Sequence, residues 1–155
     1  MRHLFSDKCL FFIIGGIKMI QAYSDGVTVA ANGTYPLNNV VFLKGNTAVA
    51  AGAGGIALTK RGIYNVHVNG FATLADAGDY SIQLTRNGVP MPQAISTTAL
   101  TAAGSANGAF ETLVVVEESD CPCNWTSAAV TIGVINPSTV EATNAYINVV
   151  VSKLV

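Results

Sequence analysis

Charge is what this sequence has least of. Only 11% of its 155 residues are Asp, Glu, Lys or Arg, where a soluble domain usually carries about a quarter. The net charge of −1 leaves no basic face that asks for nucleic acid. It also leaves little repulsion to keep neighbouring copies apart, so an oligomer or a component of a larger assembly fits better than an isolated monomer. Long apolar runs are missing as well. The longest, Cys9 to Ile17, is too short to span a bilayer as a helix. No stretch holds a 3.6-residue period over the length a helix needs, which excludes a helical domain. Nor does any grouping of nucleophile, base and orienting residue mark a catalytic centre, and no cofactor-binding motif is present.

In place of charge the chain has Thr, Asn, Ser, Ala and Gly, and half of it is hydrophobic. These residues are organised around Ile56–Leu74. A short apolar segment (Ile56, Leu58) runs into a charged turn at Lys60-Arg61-Gly62, and a longer strand follows. There Tyr64, Val66 and Val68 face one way while Asn65, His67 and Asn69 face the other, because successive side chains on a strand alternate. Similar segments fill the rest of the chain, separated by turn pairs: Asp25-Gly26, Asn32-Gly33, Lys44-Gly45, Asp76 to Asp79 and Asn87-Gly88. Val89-Pro90-Met91-Pro92 reads as an edge strand, since proline cannot donate to a ladder. Ala94 to Ala109 predicts one irregular strand and a loop. Phe110 to Val116 is apolar enough on both faces to predict a central strand. Ala129 to Ile135, stopped by Asn136-Pro137, and Asn144 to Leu154 complete the set. Many short strands at regular spacing mean an all-β sandwich or barrel.

The order of elements resembles the tumour-necrosis-factor-like jelly roll, shared by complement globular heads and by phage and bacterial surface proteins. The matching features are Gly62-Ile63-Tyr64 after a Leu-Thr-Lys turn, the run Thr85 to Val89 after an alternating strand, the apolar strand Leu113–Val116, and a closing strand from Tyr146 to Leu154. The resemblance covers roughly residues 40–155 and rests on pattern. It implies a jelly-roll β-sandwich of two antiparallel sheets, closed as a compact homotrimer with central strands around a three-fold axis and both termini near one end. On that reading Tyr64, Val66, His67 and Val68 form the candidate oligomer-axis strand. A Gly-X-Y collagen stem is missing. The Thr-, Ala- and Asn-rich strands look more like a phage virion protein: a head fibre, a capsid decoration protein or a tail-fibre head domain, assembled in a bacterial cytoplasm beside other virion proteins. Where the family often has a Gly-Asp turn, this chain has Ser119-Asp120-Cys121-Pro122-Cys123, so no ligand carries over.

Residues 1–18 differ from everything after them, leaving residues 19–155 as one β-sandwich domain. A basic start and an apolar centre suit a signal peptide, although no small-x-small cleavage site follows closely. Gly15-Gly16-Ile17-Lys18-Met19 is also encodable as a bacterial ribosome-binding sequence ahead of an ATG, which would make Met19 the natural start. An apolar anchor that docks into a partner is the third reading.

The most distinctive loop is Glu117 to Ser127, with Cys121, Cys123, Asn124 and Trp125 as candidate ligand or partner contacts. Two thiols at this spacing could share a metal, but zinc wants four ligands and only Cys9, His3 and His67 remain. A redox or intermolecular bridge is open to them, and plain loop thiols fit better than either. Trp125 offers a stacking surface for a host-surface glycan, against the commoner role of a packing plug. His67 fits a hydrogen-bonded sheet position or an oligomer axis better than a catalytic base. Asp76, Asp79, Glu117, Glu118 and Asp120 match no calcium-loop spacing.

Overall fold

A computed structural model describes residues 18–45, 48–51, 54–117 and 130–155. Its described residues form eleven strands: β1 (Met19–Val29), β2 (Thr34–Tyr35), β3 (Asn39–Lys44), β4 (Ala48–Ala51), β5 (Gly55–Leu58), β6 (Gly62–Leu74), β7 (Gly78–Arg86), β8 (Val89–Leu100), β9 (Gly104–Val116), β10 (Val130–Ile135) and β11 (Ala142–Lys153). All the strand pairings are antiparallel. One sheet has the order β3-β1-β11-β6-β9, the other β4-β5-β10-β7-β8 with β2 also paired to β10. This is the two-sheet jelly-roll sandwich that the strand spacing and the resemblance predict. No helix among the described residues is long and apolar enough to cross a membrane.

Alternation builds the core. Along β6 the side chains of Tyr64, Val66, Val68, Ala72 and Leu74 are buried, and so are Ala145, Ile147, Val149 and Val151 on the neighbouring β11. They meet Tyr80, Ile82 and Leu84 of β7 and Ile132 and Val134 of β10 from the opposite sheet. Gly70 leaves room at the centre of this contact. A Cβ there would fall 2.5 Å from the Tyr146 carbonyl oxygen and 3.0 Å from the Tyr80 hydroxyl, and would strike Ile147 as well. The Tyr80 and Tyr35 hydroxyls are buried, and neither forms a hydrogen bond of normal geometry. Burial pushes the Tyr35 phenol up to about 12, partly offset by Tyr80. It raises the Tyr80 phenol too, and the nearby Tyr35 adds to that rise.

Several local expectations hold. Asn87 and Gly88 both have positive φ (50° and 80°) and join Arg86 to Val89 as a two-residue hairpin, the type I′ geometry that Asn-Gly favours. The proline-bearing β8 is an edge strand.

Others are corrected. Asp25-Gly26 is a bulge within β1 rather than a turn: pairing to β11 shifts between Ser24 and Val27, and Gly26 takes φ 65°. The turn at Lys60-Arg61 also carries the chain from one sheet to the other, since β5 and β6 lie in different sheets. Residues 94–109 continue as β8 and β9, which cross from one sheet to the other, with only 101–103 between them. Most consequentially, β9 is the edge of the five-stranded sheet, not a central strand. Its second apolar face, with Leu113 and Val115, has no cover among the described residues.

Candidate functional site: the open face of the five-stranded sheet

Odd-numbered residues of β6 and β9, the even-numbered residues of β11 from Tyr146 to Ser152, and Gln21 and Tyr23 of β1 turn away from the core. Together they make a broad open face with three zones.

At one end Tyr146 stacks on Phe71 (ring centroids 5.7 Å apart, planes 19° apart) and lies 6.2 Å from Tyr23. Phe71 and Tyr146 flank a shallow cleft of about 670 Å³ that Asn69, Ser105 and Asn107 also line. Across the middle runs a ladder of amides. Gln21 Nε2 donates to Asn148 Oδ1 at 2.8 Å, and Asn148 Nδ2 donates to Asn69 Oδ1 at 3.0 Å. Beside it, Asn65 Nδ2 donates to the Glu111 carboxylate, and His67 stands directly across from Glu111 in the β6–β9 pairing. Because Gln21, Asn148 and Asn69 already bond in a chain, covering them costs less desolvation than covering free amides would, whereas Asn65 Oδ1 is buried with no partner.

The third zone is apolar and lies on the sheet's two edges. On β9, Leu113 and Val115 are 56% and 43% exposed. On β3 every residue is exposed, including Val40, Val41, Phe42 and Leu43. Phe42 sits opposite Gln21 on the open face, and Leu43 sits opposite buried Ile20. β3 therefore overhangs the core and shows apolar side chains on both sides.

Of the residues proposed for an oligomer axis, only His67 is on this face. Tyr64, Val66 and Val68 are each 1% exposed or less and belong to the core between the sheets. The Tyr64 hydroxyl is used locally, donating to the Lys60 carbonyl at 2.6 Å, and its pKa is raised by burial, with that bond acting against the rise. Cys121, Cys123, Asn124 and Trp125 lie outside the described residues, as do His3, Cys9, Glu118 and Asp120. Asp76 and Asp79 are exposed near the start of β7. The described residues contain no group of three His, Cys, Asp or Glu side chains able to hold a metal.

The sequence reading had Val40 to Leu43 as a segment ended by the turn at Lys44-Gly45 but did not mark it as exposed on both sides, and it missed the amide ladder. The odd parity of Gln21 and Tyr23 against buried Ile20 and Ala22 was the available signal for the ladder. Pairing of β1 with β11, which brings Gln21 within reach of Asn148, was not visible in local pattern.

No protein-family model matches the chain, and no curated protein sequence does. Solved structures do match. Vertex protein P5 of PRD1, a phage virion protein, superposes with a TM-score of 0.59 over 91% of this chain and 100% of its own, at 16% identity. The TNF protein Eiger of S. frugiperda gives 0.61 over 89% and 94%, at 11% identity. The globular domain of zebrafish complement 1qA gives 0.57 over 86% and 94%, at 7% identity. The fold is the tumour-necrosis-factor-like jelly roll. The likeness extends beyond residues 40–155, because the superposition covers 91% of this chain. At these identities it establishes architecture, and the open face must speak for the rest.

Proposed function

We propose that this chain is a non-enzymatic structural protein of a virion, a head fibre, capsid decoration protein or tail-fibre head domain, that works as a homotrimer closed through the open face. The observation that carries the reading is the apolar surface on opposite edges of one sheet: Val40 to Leu43 on β3, and Leu113 with Val115 on β9. Four inter-strand steps separate these edges by about 19 Å. The two patches differ in sequence and shape, so pairing one with the other makes a head-to-tail contact. Such a contact closes into a ring when its rotation allows. Three subunits is the number that the resemblance implies. The mutually bonded amides suit a covered band between the patches, and the likeness to a vertex protein supports the virion setting.

Residues 1–18 then act as anchor or leader, or precede a natural start at Met19. Peptide mass spectrometry of particles purified from the source tests the setting. The chain is expected as a stoichiometric component, and its absence from intact particles overturns the reading.

A second reading is favoured by the cleft at Phe71 and Tyr146. Aromatic rings beside Asn69, Asn107 and Ser105 are groups that hold a sugar, which would make the domain a glycan- or receptor-binding module. It requires the face to stay open, so an oligomer that covers the face excludes it.

A further inference from the structure

Scarce as charge is, its placement is sorted. Five of the six described cations, Lys18, Lys44, Lys60, Arg61 and Lys153, gather at one end of the sandwich, brought there from separate segments of the chain. Lys44 lies across from Met19, next to Lys18. The Lys153 backbone N–H donates to the Lys18 carbonyl at 3.0 Å, and the Lys153 side chain lies over Gly62, which follows Lys60-Arg61. The Lys153 amine is held below its usual pKa, first by loss of water contact and then by the like charges of Lys18 and Arg61. Four of the six described carboxylates, Asp25, Asp76, Asp79 and Glu141, lie at the far end, around the start of β11 and the β6–β7 turn. Glu111 is mid-face, and Glu117 is the described carboxylate that shares the basic end. Residues 1–17 join the domain at Lys18, on this same end.

We propose that the basic end is a docking surface for a carboxylate-rich face of another protein, the one on which the domain is mounted. This rests on the virion reading for the identity of the mount, but not for its chemistry. Clustered like charges repel in the free domain and are relieved when opposite charge arrives, which also steers the approach. The chain as a whole is net negative, with an acidic far end, which favours a protein over nucleic acid.

The test uses the full chain on sensors coated with poly-L-glutamate or with duplex DNA, at about 50 mM and about 200 mM salt. Lys44 and Lys60 are exposed, so Lys44→Glu/Lys60→Glu alters charge without touching the core. The expected result is salt-sensitive binding to poly-L-glutamate, weakened about tenfold or more in this variant. Asp76→Lys/Asp79→Lys at the far end should bind as the parent does. Absence of binding to poly-L-glutamate, an unchanged affinity in the lysine variant, an equal loss in the aspartate variant, or tighter binding to DNA would each overturn the proposal. Sedimentation of the same proteins reports the oligomer separately, so the two ideas fail independently.

Discussion

Replacing Asn136 with Ala should destabilise the domain more than most single changes. Asn136 is fully buried where β10 has ended and the chain turns toward β11. Its Nδ2 donates to the Val140 carbonyl at 2.9 Å and, at longer range, to the carbonyls of Ala30 and Val29 at 3.3 and 3.5 Å. Its Oδ1 accepts from the Ser138 hydroxyl at 2.6 Å and the Ser138 N–H at 3.2 Å. One side chain thus ties the end of β1 to the β10–β11 connection. The two long contacts contribute little. The other three, at about 1 kcal/mol each, come to about 3 kcal/mol. Two groups keep partners in the variant, which limits the loss: Ala30 O still accepts from Gly33 N–H at 2.9 Å, and the Ser138 hydroxyl still reaches Val140 O at 3.0 Å. Urea unfolding at fixed protein concentration is the assay. The midpoint should fall by an amount equivalent to about 2–4 kcal/mol with an unchanged slope. A loss below about 0.5 kcal/mol, the range of ordinary surface substitutions, would refute the view that this network holds the β10–β11 connection in place.

Gly70→Ala should cost about 1–3 kcal/mol or more, read as a lowered thermal midpoint, because the Tyr146 backbone cannot yield easily to the new methyl group. Alkali should weaken the fold between pH 10 and 12. Tyr35 keeps its proton in the folded chain up to about 12 but loses it near 10 when unfolded. Its contribution of about 2–3 kcal/mol is therefore complete below pH 10 and is lost as pH rises through 12. Unfolding midpoints measured across that range check the sign. Tyr80→Phe removes a buried hydroxyl that lacks a good partner, so it should leave the neutral-pH midpoint unchanged or higher and make the alkaline loss shallower.

How much of this was legible in the sequence depended on the range of the interaction. The faces of β6 followed from alternation at Tyr64 to Asn69, and the β7–β8 hairpin from Asn87-Gly88, because each is decided within a few residues. Sheet membership was not legible. β5 and β6 are joined by a short turn yet belong to different sheets, and nothing in the local pattern says so. β9 read as central because Leu113 and Val115 are apolar on the face opposite Val114 and Val116. A strand buried within its own chain and an edge strand awaiting cover carry the same pattern. Asn136 read as a strand terminator next to Pro137. Its partners at Val29 and Ala30 are more than a hundred positions away in the chain, so nothing local marked it as a tie between strands.

Sedimentation equilibrium of the wild-type chain beside Leu113→Glu/Val115→Glu tests the open face most directly. Both side chains are already half exposed in a single copy, so the variant should keep its β-sheet spectrum. The account predicts three 16.0-kDa chains for the wild type at micromolar concentration and one for the variant. A monomeric wild type, or a variant that assembles as the wild type does, would contradict it.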